Sequence, residues 1–175
     1  YNGIHELLTN KDMKTEDVIL KDVLKGVDFI PSKISYFDVE KQLANELLPY
    51  NVLKKKLKEV DGMYDYVIID NHPSQSMMSL NGLVASDEVL IPLSPDNFAI
   101  EGLEYVFDKL NEIIEELNYD LKIRGVFLTR YKEANICREI KEYLKEELPG
   151  KLINTVIRET VKVGESTTGE PLVIY

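Results

Sequence analysis

The sequence is poor in the residues from which disulfide frameworks and zinc sites are built. It contains one cysteine, Cys137, two histidines, His5 and His72, and no tryptophan. A single cysteine excludes an internal disulfide, and these three side chains cannot give the ligand spacing of a zinc site. No apolar run approaches the roughly 20 residues of a membrane-spanning helix. We therefore expect a soluble intracellular protein, and we interpret Cys137 as a packed residue.

Two further absences concern phosphate and nucleic acid. No G-x-x-x-x-G-K-[ST] phosphate loop occurs in the 175 residues. The formal net charge of −10 argues against a protein that covers nucleic acid with its whole surface. The charge is uneven, however, because residues 122–162 hold ten Lys or Arg against six Asp or Glu. A locally basic face and an ordinary solvated helix surface would both give this pattern.

The most informative stretch is residues 64–73, which read YDYVIIDNHP. Its centre, Tyr66–Ile69, is typical of a strand buried on both faces, and it ends in Asp70 followed by turn-forming residues. A carboxylate at the tip of such a strand lies where open α/β sheets bind ligands. In P-loop nucleotide hydrolases an acid here lies beside the magnesium ion and its water. Aspartate at a strand end also commonly caps a turn, so both interpretations stay open.

Strand-like runs alternate with helical periodicity along the chain. We predict helices over Ile4–Leu8, Thr15–Leu20, Ser35–Leu48, Asn51–Val60, Met77–Val84, Ala99–Leu117 and Asn135–Leu148. We predict strands over Val27–Ile30, Tyr66–Ile69, Glu88–Ile91 (stopped by Pro92), Ile123–Thr129, Asn154–Ile157 and Leu172–Ile174. This alternation favours an α/β fold with a mainly parallel sheet flanked by helices. No repeat or linker divides the chain, so we expect a single domain over residues 1–175.

Four segments, taken in order, carry a resemblance to a known family. They read YDYVIIDNHPS, LNGLVASDEVLIPLSPDNFAIEGL, KIRGVFLTRYKEAN and TVIRETVKVGESTTGEPLVIY. In this order and spacing they resemble the ParA/Soj type of chromosome- and plasmid-partitioning ATPases, whose fold is P-loop NTPase-like (SIMIBI type). MinD-like and nitrogenase-iron-protein-like relatives share that fold but match these segments less well.

The resemblance implies a nucleotide-dependent switch in DNA segregation. Family members bind ATP and Mg²⁺, dimerise with the nucleotide between the subunits, and then bind DNA without sequence preference. A ParB-like centromere-binding partner stimulates hydrolysis. The family is cytoplasmic and nucleoid-associated, and we expect no membrane partner. Its N-terminal deviant phosphate loop would precede Tyr1, so we expect a partial ATPase domain that does not hydrolyse ATP alone.

Individual site residues follow from the resemblance. Asp70 falls at the Walker B position, where the acid is catalytic and helps to organise Mg²⁺ through water. The positions implied at the nucleotide are Thr129, Arg130, Arg158 and Thr160. The candidate DNA contacts are basic residues of the second half of the chain, of which Arg138 and Lys162 match family positions: Lys132, Arg138, Lys141, Arg158 and Lys162. The chain departs from the family at His72, which replaces a proline, and at Ser76, which replaces a glycine; we interpret His72 as a tolerated loop substitution.

Other functions remain open at this point. A degenerate relative that kept the fold, lost ATP chemistry and acts through protein or DNA contacts is one alternative. A MinD-like positioning ATPase is another, and it would need an amphipathic C-terminal helix. A glycine-rich loop with two lysines upstream of Tyr1 would favour the partitioning ATPase, whereas a genuine start at Tyr1 would favour the degenerate relative. The cargo, whether chromosome, plasmid or mobile element, cannot be read from the residues.

Overall fold

The structure is a computed structural model that describes residues 2–32, 37–72 and 76–162. Contacts divide these residues into two compact units. The first unit holds the described chain up to Asp87 together with Glu115–Leu121, and the second holds Glu88–Ile114 and the described chain from Lys122 onward. Each unit is described by itself below.

The described elements, in chain order, are mostly short helices and strands. They are α1 (Ile4–Thr9), a 3₁₀ turn (Thr15–Val18), β1 (Leu20–Leu24), β2 (Val27–Phe29), α2 (Phe37–Leu43), α3 (Val52–Leu57), a second 3₁₀ turn (Lys58–Val60), α4 (Met77–Ala85), β3 (Glu88–Leu93), α5 (Asn97–Glu116), β4 (Lys122–Tyr131), α6 (Asn135–Glu147) and β5 (Leu152–Arg158). Residues 66–70 belong to no helix, strand or turn, and we call them the extended stretch after their strand-like sequence.

The first unit is built around an aliphatic core from α1, α2 and α3. The core side chains are Leu8, Val39, Leu43 and Leu53, and Ile69 packs against them from the extended stretch. Two buried asparagines satisfy backbone groups in this unit. Asn81 accepts from the amide of Leu53 (3.1 Å) and donates to the carbonyl of Pro49 (2.7 Å). Asn118 donates to the carbonyls of Leu83, Val84 and Ser86 at 2.9–3.3 Å, which caps the C-terminal end of α4.

The second unit contains a parallel sheet in the order β3-β4-β5. The central strand β4 supplies the fully buried Val126 and Leu128. Helix α6 connects β4 to β5, the crossover that parallel neighbours require. It buries Cys137, Ile140 and Leu144, whose spacing of three and four residues places them on one face. The interpretation of Cys137 as a packed residue agrees with this burial.

The α/β fold with a mainly parallel sheet is confirmed, and most predicted elements exist within a few residues of their predicted bounds. Thr15–Leu20, predicted as a helix, is wrong: a 3₁₀ turn ends at Val18 and β1 follows, pairing antiparallel with β2. Gly26, with φ +73°, supplies the left-handed residue that the tight turn between these strands needs. The described part of the Ser35–Leu48 helix ends at Leu43. The predicted strand Leu172–Ile174 lies outside the described residues.

Two strand predictions also need correction. β3 does not stop at Pro92 but continues to Leu93, with Pro92 opposite Phe127. Within the described sheet β3 is an edge strand, where a proline that lacks an N–H is tolerated. Tyr66–Ile69, predicted as a strand buried on both faces, pairs with no described strand, and Tyr66 is 87% exposed. An extended segment becomes a strand only when a neighbour takes up its backbone hydrogen bonds.

No helix within the described residues is long and apolar enough to span a bilayer.

Candidate functional site

Asp70 lies on a cavity of about 640 Å³ within the first unit. The cavity is lined by Phe29 of β2, by the extended stretch 66–70 and the two residues that follow it, and by Met78 and Gly82 of α4. The Asp70 side chain is exposed at the end of the extended stretch. Its carboxylate is therefore open to solvent at the edge of a largely apolar cleft, the setting in which an acid can meet a ligand and its water.

The chain after Asp70 is fixed by contacts with α4. Asn71 lies against Gly82, where a Cβ atom would overlap the Asn71 carboxamide. Asn71 also donates to the carbonyl of Ser79 at 3.4 Å, and the Ser79 hydroxyl donates to the carbonyl of His72 at 3.0 Å. The Ser76 hydroxyl accepts from the Ser79 amide at 3.1 Å and so caps α4. These bonds hold the backbone that follows the acid, and they give Ser76 a capping role.

The first turn of α4 receives a second cap from α2. The two carboxylate oxygens of Glu40 accept from the amides of Met77 (3.1 Å) and Met78 (3.2 Å). A negative charge at this end of a helix is favourable, because the first amides of a helix lack partners and carry partial positive charge. The contact ties the helix after Asp70 to the core helices of the unit.

Close to the cavity, a hydrogen-bonded triad joins the β1–β2 hairpin to the start of the extended stretch. Lys21 donates to Asp28 (2.9 Å) and to the Tyr64 hydroxyl (2.8 Å), and Tyr64 donates to Asp28 (2.7 Å). The hydrogen bond from Lys21, followed by that from Tyr64, lowers the pKa of Asp28 to about 2. The hydrogen bonds that Lys21 donates, first the one to Tyr64 and then the one to Asp28, raise the pKa of Lys21. The triad fixes Tyr64, two residues before the extended stretch begins.

The described residues can offer magnesium one exposed carboxylate, that of Asp70, but not a complete set of protein ligands. They contain no group of three or more His, Cys, Asp or Glu side chains that could enclose a metal ion. Magnesium nevertheless keeps several waters and needs only one or two protein carboxylates when phosphates supply the other oxygens. One exposed aspartate beside a cleft meets that requirement. The sequence contains no motif for a phosphate cradle of glycine amides and lysine, so these residues do not provide one.

The second unit brings four of the predicted cations together in what we name the cation cluster: Arg130, Lys132, Arg138 and Arg158. Glu159 pairs with Arg130 at 3.5 Å and with Lys132 at 2.5 Å. Glu133 pairs with Arg138 at 3.8 Å and with Arg158 at 3.4 Å. Arg130 has φ +51°, a left-handed backbone conformation that non-glycine residues rarely adopt. Residues predicted separately for nucleotide and for DNA thus pair with the same two glutamates.

The other predicted residues of the second unit have different surroundings. The Thr129 hydroxyl donates to the carbonyl of Leu93 at 3.4 Å, across the carboxyl ends of β4 and β3. The Lys141 ammonium lies 5.8 Å from the centre of the Tyr131 ring, within cation–π range. Thr160 accepts from the amide of Lys162 at 3.3 Å. None of these contacts joins the cation cluster.

Sequence reasoning missed the two glutamates of the cluster. A local signal was present, because Glu133 and Glu159 directly follow the predicted cations Lys132 and Arg158 in the sequence. The pairing of Glu133 with Arg158, 25 positions along the chain, has no local signal. The contact of Asn71 with Gly82 was equally invisible, since it depends on where α4 packs.

Comparisons with known proteins agree with this architecture. A family model described as an AAA domain matches residues 1–123. The sporulation initiation inhibitor protein Soj of Bacillus subtilis is 32% identical over 174 residues, which is 98% of this chain and 68% of Soj. An uncharacterized Mycobacterium tuberculosis protein is 33% identical over 174 residues, 98% of this chain but 55% of that protein. The chain thus spans between about half and two thirds of the length of these curated relatives.

A solved structure has a similar fold. Cobyrinic acid a,c-diamide synthase from Mycobacterium smegmatis, with bound ATP analog and magnesium, superposes with a TM-score of 0.82 at 26% identity. The match covers 90% of this chain and 64% of that protein. Because the fold, the matched family domain and the similarity to Soj all agree, the chain belongs to the ParA/Soj family of partitioning ATPases.

Proposed function

We propose that this chain is the larger part of an ATP-dependent DNA-partitioning switch. In this proposal the full-length protein binds ATP with Mg²⁺, dimerises around the nucleotide, binds DNA without sequence preference and is stimulated by a ParB-like partner. The observation that carries the proposal is the position of Asp70, an exposed carboxylate at the edge of a cleft and directly before a backbone fixed by α4. Family membership supplies the reaction class.

The role of Asp70 would be to position magnesium-bound water and not to react covalently. Phosphoryl transfer depends on positioning and on neutralising charge, and Mg²⁺ supplies the charge when it is bound. An exposed carboxylate held at the end of a fixed segment can accept hydrogen bonds from water in the ion's hydration shell. The hydrogen bonds among Asn71, Ser79 and His72 would keep the adjoining backbone in place while this happens.

The first test is the substitution Asp70→Ala in the full-length protein, with Asp65→Ala as the matched control. Asp65 is also exposed and lies five positions earlier, so its loss changes charge equally. We expect DNA- and partner-stimulated ATP turnover to fall by about 100-fold or more in Asp70→Ala, because one preorganised charge contact has an effect of this order. Asp65→Ala should retain turnover. Wild-type turnover in Asp70→Ala would contradict the assignment.

Residues 1–175 alone give a complementary test. We expect no Mg²⁺-dependent ATP hydrolysis from this polypeptide, because Asp70 cannot replace a cradle of backbone amides and a phosphate-binding lysine. Measurable turnover by the purified chain, sensitive to Asp70→Ala, would show that the chemistry needs no such cradle.

The DNA-binding part of the proposal is tested by charge reversal. Arg138→Glu combined with Lys162→Glu should weaken retention of the ATP-bound protein on random-sequence duplex DNA, because phosphate contacts depend on cations. Binding of a fluorescent ATP analogue should be unchanged. The matched control is Lys55→Glu with Lys58→Glu, two exposed lysines of the first unit. Equal loss of DNA binding in both double variants would mean that only net charge matters.

A further inference from the structure

The cations of the cluster are already engaged by carboxylates of the same chain. Glu159 lies between Arg130 and Lys132, and its backbone amide donates to the carbonyl of Tyr131 at 3.1 Å. That bond fixes Glu159 beside the end of β4. The Arg130 and Lys132 side chains are 72% and 64% exposed, whereas the Glu159 side chain is only 33% exposed. The carboxylate is therefore less exposed to solvent than the two cations with which it pairs.

Glu133 forms a second pairing of the same kind. Its two oxygens reach Arg158 (3.4 Å) and Arg138 (3.8 Å), and all three side chains are more than half exposed. Four cations against two carboxylates leave the cluster with a formal excess of two positive charges. A carboxylate and a phosphate use the same ammonium and guanidinium donors, so they compete for these side chains.

We propose that Glu159, assisted by Glu133, is an internal competitor that limits the affinity of the cation cluster for nucleic-acid phosphates. Exposed ion pairs of this kind are weak, so a phosphate backbone displaces the carboxylate without disturbing the fold. Each displaced carboxylate keeps its negative charge beside the incoming phosphate and so lowers the affinity. This regulation rests on the proposed DNA-binding function, and it predicts that removing one carboxylate makes the protein bind more tightly.

The test is Glu159→Gln in the full-length protein, with Glu112→Gln as the matched control. Glu112 is an exposed glutamate of α5 paired with Lys109 at 2.7 Å, so its substitution also removes one negative charge and releases one lysine. Binding to a random-sequence duplex is measured with ATP by fluorescence anisotropy over a salt series. Retention on a heparin column is measured without nucleotide.

We expect Glu159→Gln to bind the duplex about threefold to tenfold more tightly at low salt, with a salt dependence steeper by about one to two phosphate contacts. It should elute from heparin at higher salt than the wild type, and Glu159→Asp should behave as the wild type. Glu112→Gln should change neither readout. Equal gains in Glu159→Gln and Glu112→Gln, or no gain in Glu159→Gln, would overturn the proposal.

The two readouts separate this inference from the proposed function. A heparin shift specific to Glu159→Gln, in a protein that does not bind duplex DNA even with ATP, would support the internal competitor and overturn only DNA binding. DNA binding that is unaffected by Glu159→Gln, with no heparin shift, would overturn only the internal competitor.

Discussion

Strand β4 and the extended stretch 66–70 are both apolar segments, and their surroundings differ completely. β4 is paired on both sides, by β3 and by β5, and its Val126 and Leu128 are fully buried. In the stretch 66–70, Ile68 is 92% exposed and no backbone hydrogen bond to another described residue is formed. Only Ile69 packs against the core of its unit.

Apolar side chains can hold a segment against a core, but the segment becomes a β-strand only when an adjacent strand takes up its backbone hydrogen bonds. Ile69 packs the stretch against the core of the first unit, directly before Asp70. The amides of Val67 and Ile68 have no partner among the described residues, so they need one from elsewhere. The relatives are longer than this chain, and we expect their additional length to include a neighbour for this stretch.

The largest expected effect is in amide hydrogen exchange of residues 1–175. Amides of Val67 and Ile68 should exchange close to the rate of an unprotected chain, because no carbonyl of a described residue accepts from them. Amides of Val126 and Leu128 should exchange at least about 100-fold more slowly, since opening them requires unfolding of the sheet. Both sets are read in one experiment by NMR or mass spectrometry. Equal protection of the two segments would show that the stretch is paired.

Amide exchange measured on a full-length protein tests whether the stretch gains a neighbouring strand there. If a neighbouring strand is supplied by the additional length, Val67 and Ile68 become protected while Val126 and Leu128 change little. Unchanged exchange at Val67 and Ile68 in the longer protein would refute a strand at this position.

Sequence pattern predicted the second unit well because its information is local. The apolar runs that became β4 and β5 and the helical face of α6 are each readable within a window of about ten residues. The stretch Tyr66–Ile69 was mispredicted by the same rule, because its apolar pattern does not reveal whether a partner strand is present. β1 was missed because Leu20–Leu24 lacks a strict alternation and became a strand only by pairing with β2.

The candidate site was predictable in part for a similar reason. Asp70 can be identified from its own neighbourhood in the sequence, and the structure places it exposed beside a cleft, whereas its role at magnesium stays a prediction. The position of Arg158 beside the end of β4 depends on the parallel register of β4 with β5, which pairs Tyr131 with Arg158 and has no local signal. Their neutralisation by Glu133 and Glu159 required side-chain positions, which no spacing rule supplies.

A second, smaller effect is expected on the free energy of unfolding, and it tests the contact between Gly82 and Asn71, the residue after Asp70. Gly82→Ala should destabilise the protein by about 1–2 kcal/mol, because the new methyl group would displace Asn71 from a packed contact. The matched control is Gly102→Ala in α5, where an added Cβ meets nothing within 4 Å. That change should stabilise by about 0.5–1 kcal/mol through helix propensity. Chemical denaturation measures both.

ATP turnover distinguishes a loss of stability in Gly82→Ala from a displacement of the backbone next to Asp70. If Asn71 positions the backbone next to Asp70, Gly82→Ala should also lower ATP turnover of the full-length protein under conditions where it remains folded. Stabilisation by both alanine substitutions would mean that Asn71 moves aside without cost.

The smallest effect concerns pH and the triad that precedes the extended stretch. Asp28 has a pKa lowered to about 2, first by the hydrogen bond from Lys21 and then by that from Tyr64. A carboxyl group whose pKa is lower in the folded state stabilises the fold above its unfolded pKa of about 4. That contribution is lost as the pH falls from about 4 towards 2. NMR titration of the Asp28 carboxyl carbon should give a midpoint near 2 in the wild type, and Lys21→Gln should move it upward.

Strand β4 contains no such triad, so the exchange of its backbone amides should not change over this pH range beyond the intrinsic effect of pH. The residues around Tyr64, in contrast, should lose order as Asp28 becomes protonated. A wild-type midpoint near the ordinary aspartate value, unchanged in Lys21→Gln, would mean that the triad does not hold the start of the stretch in solution.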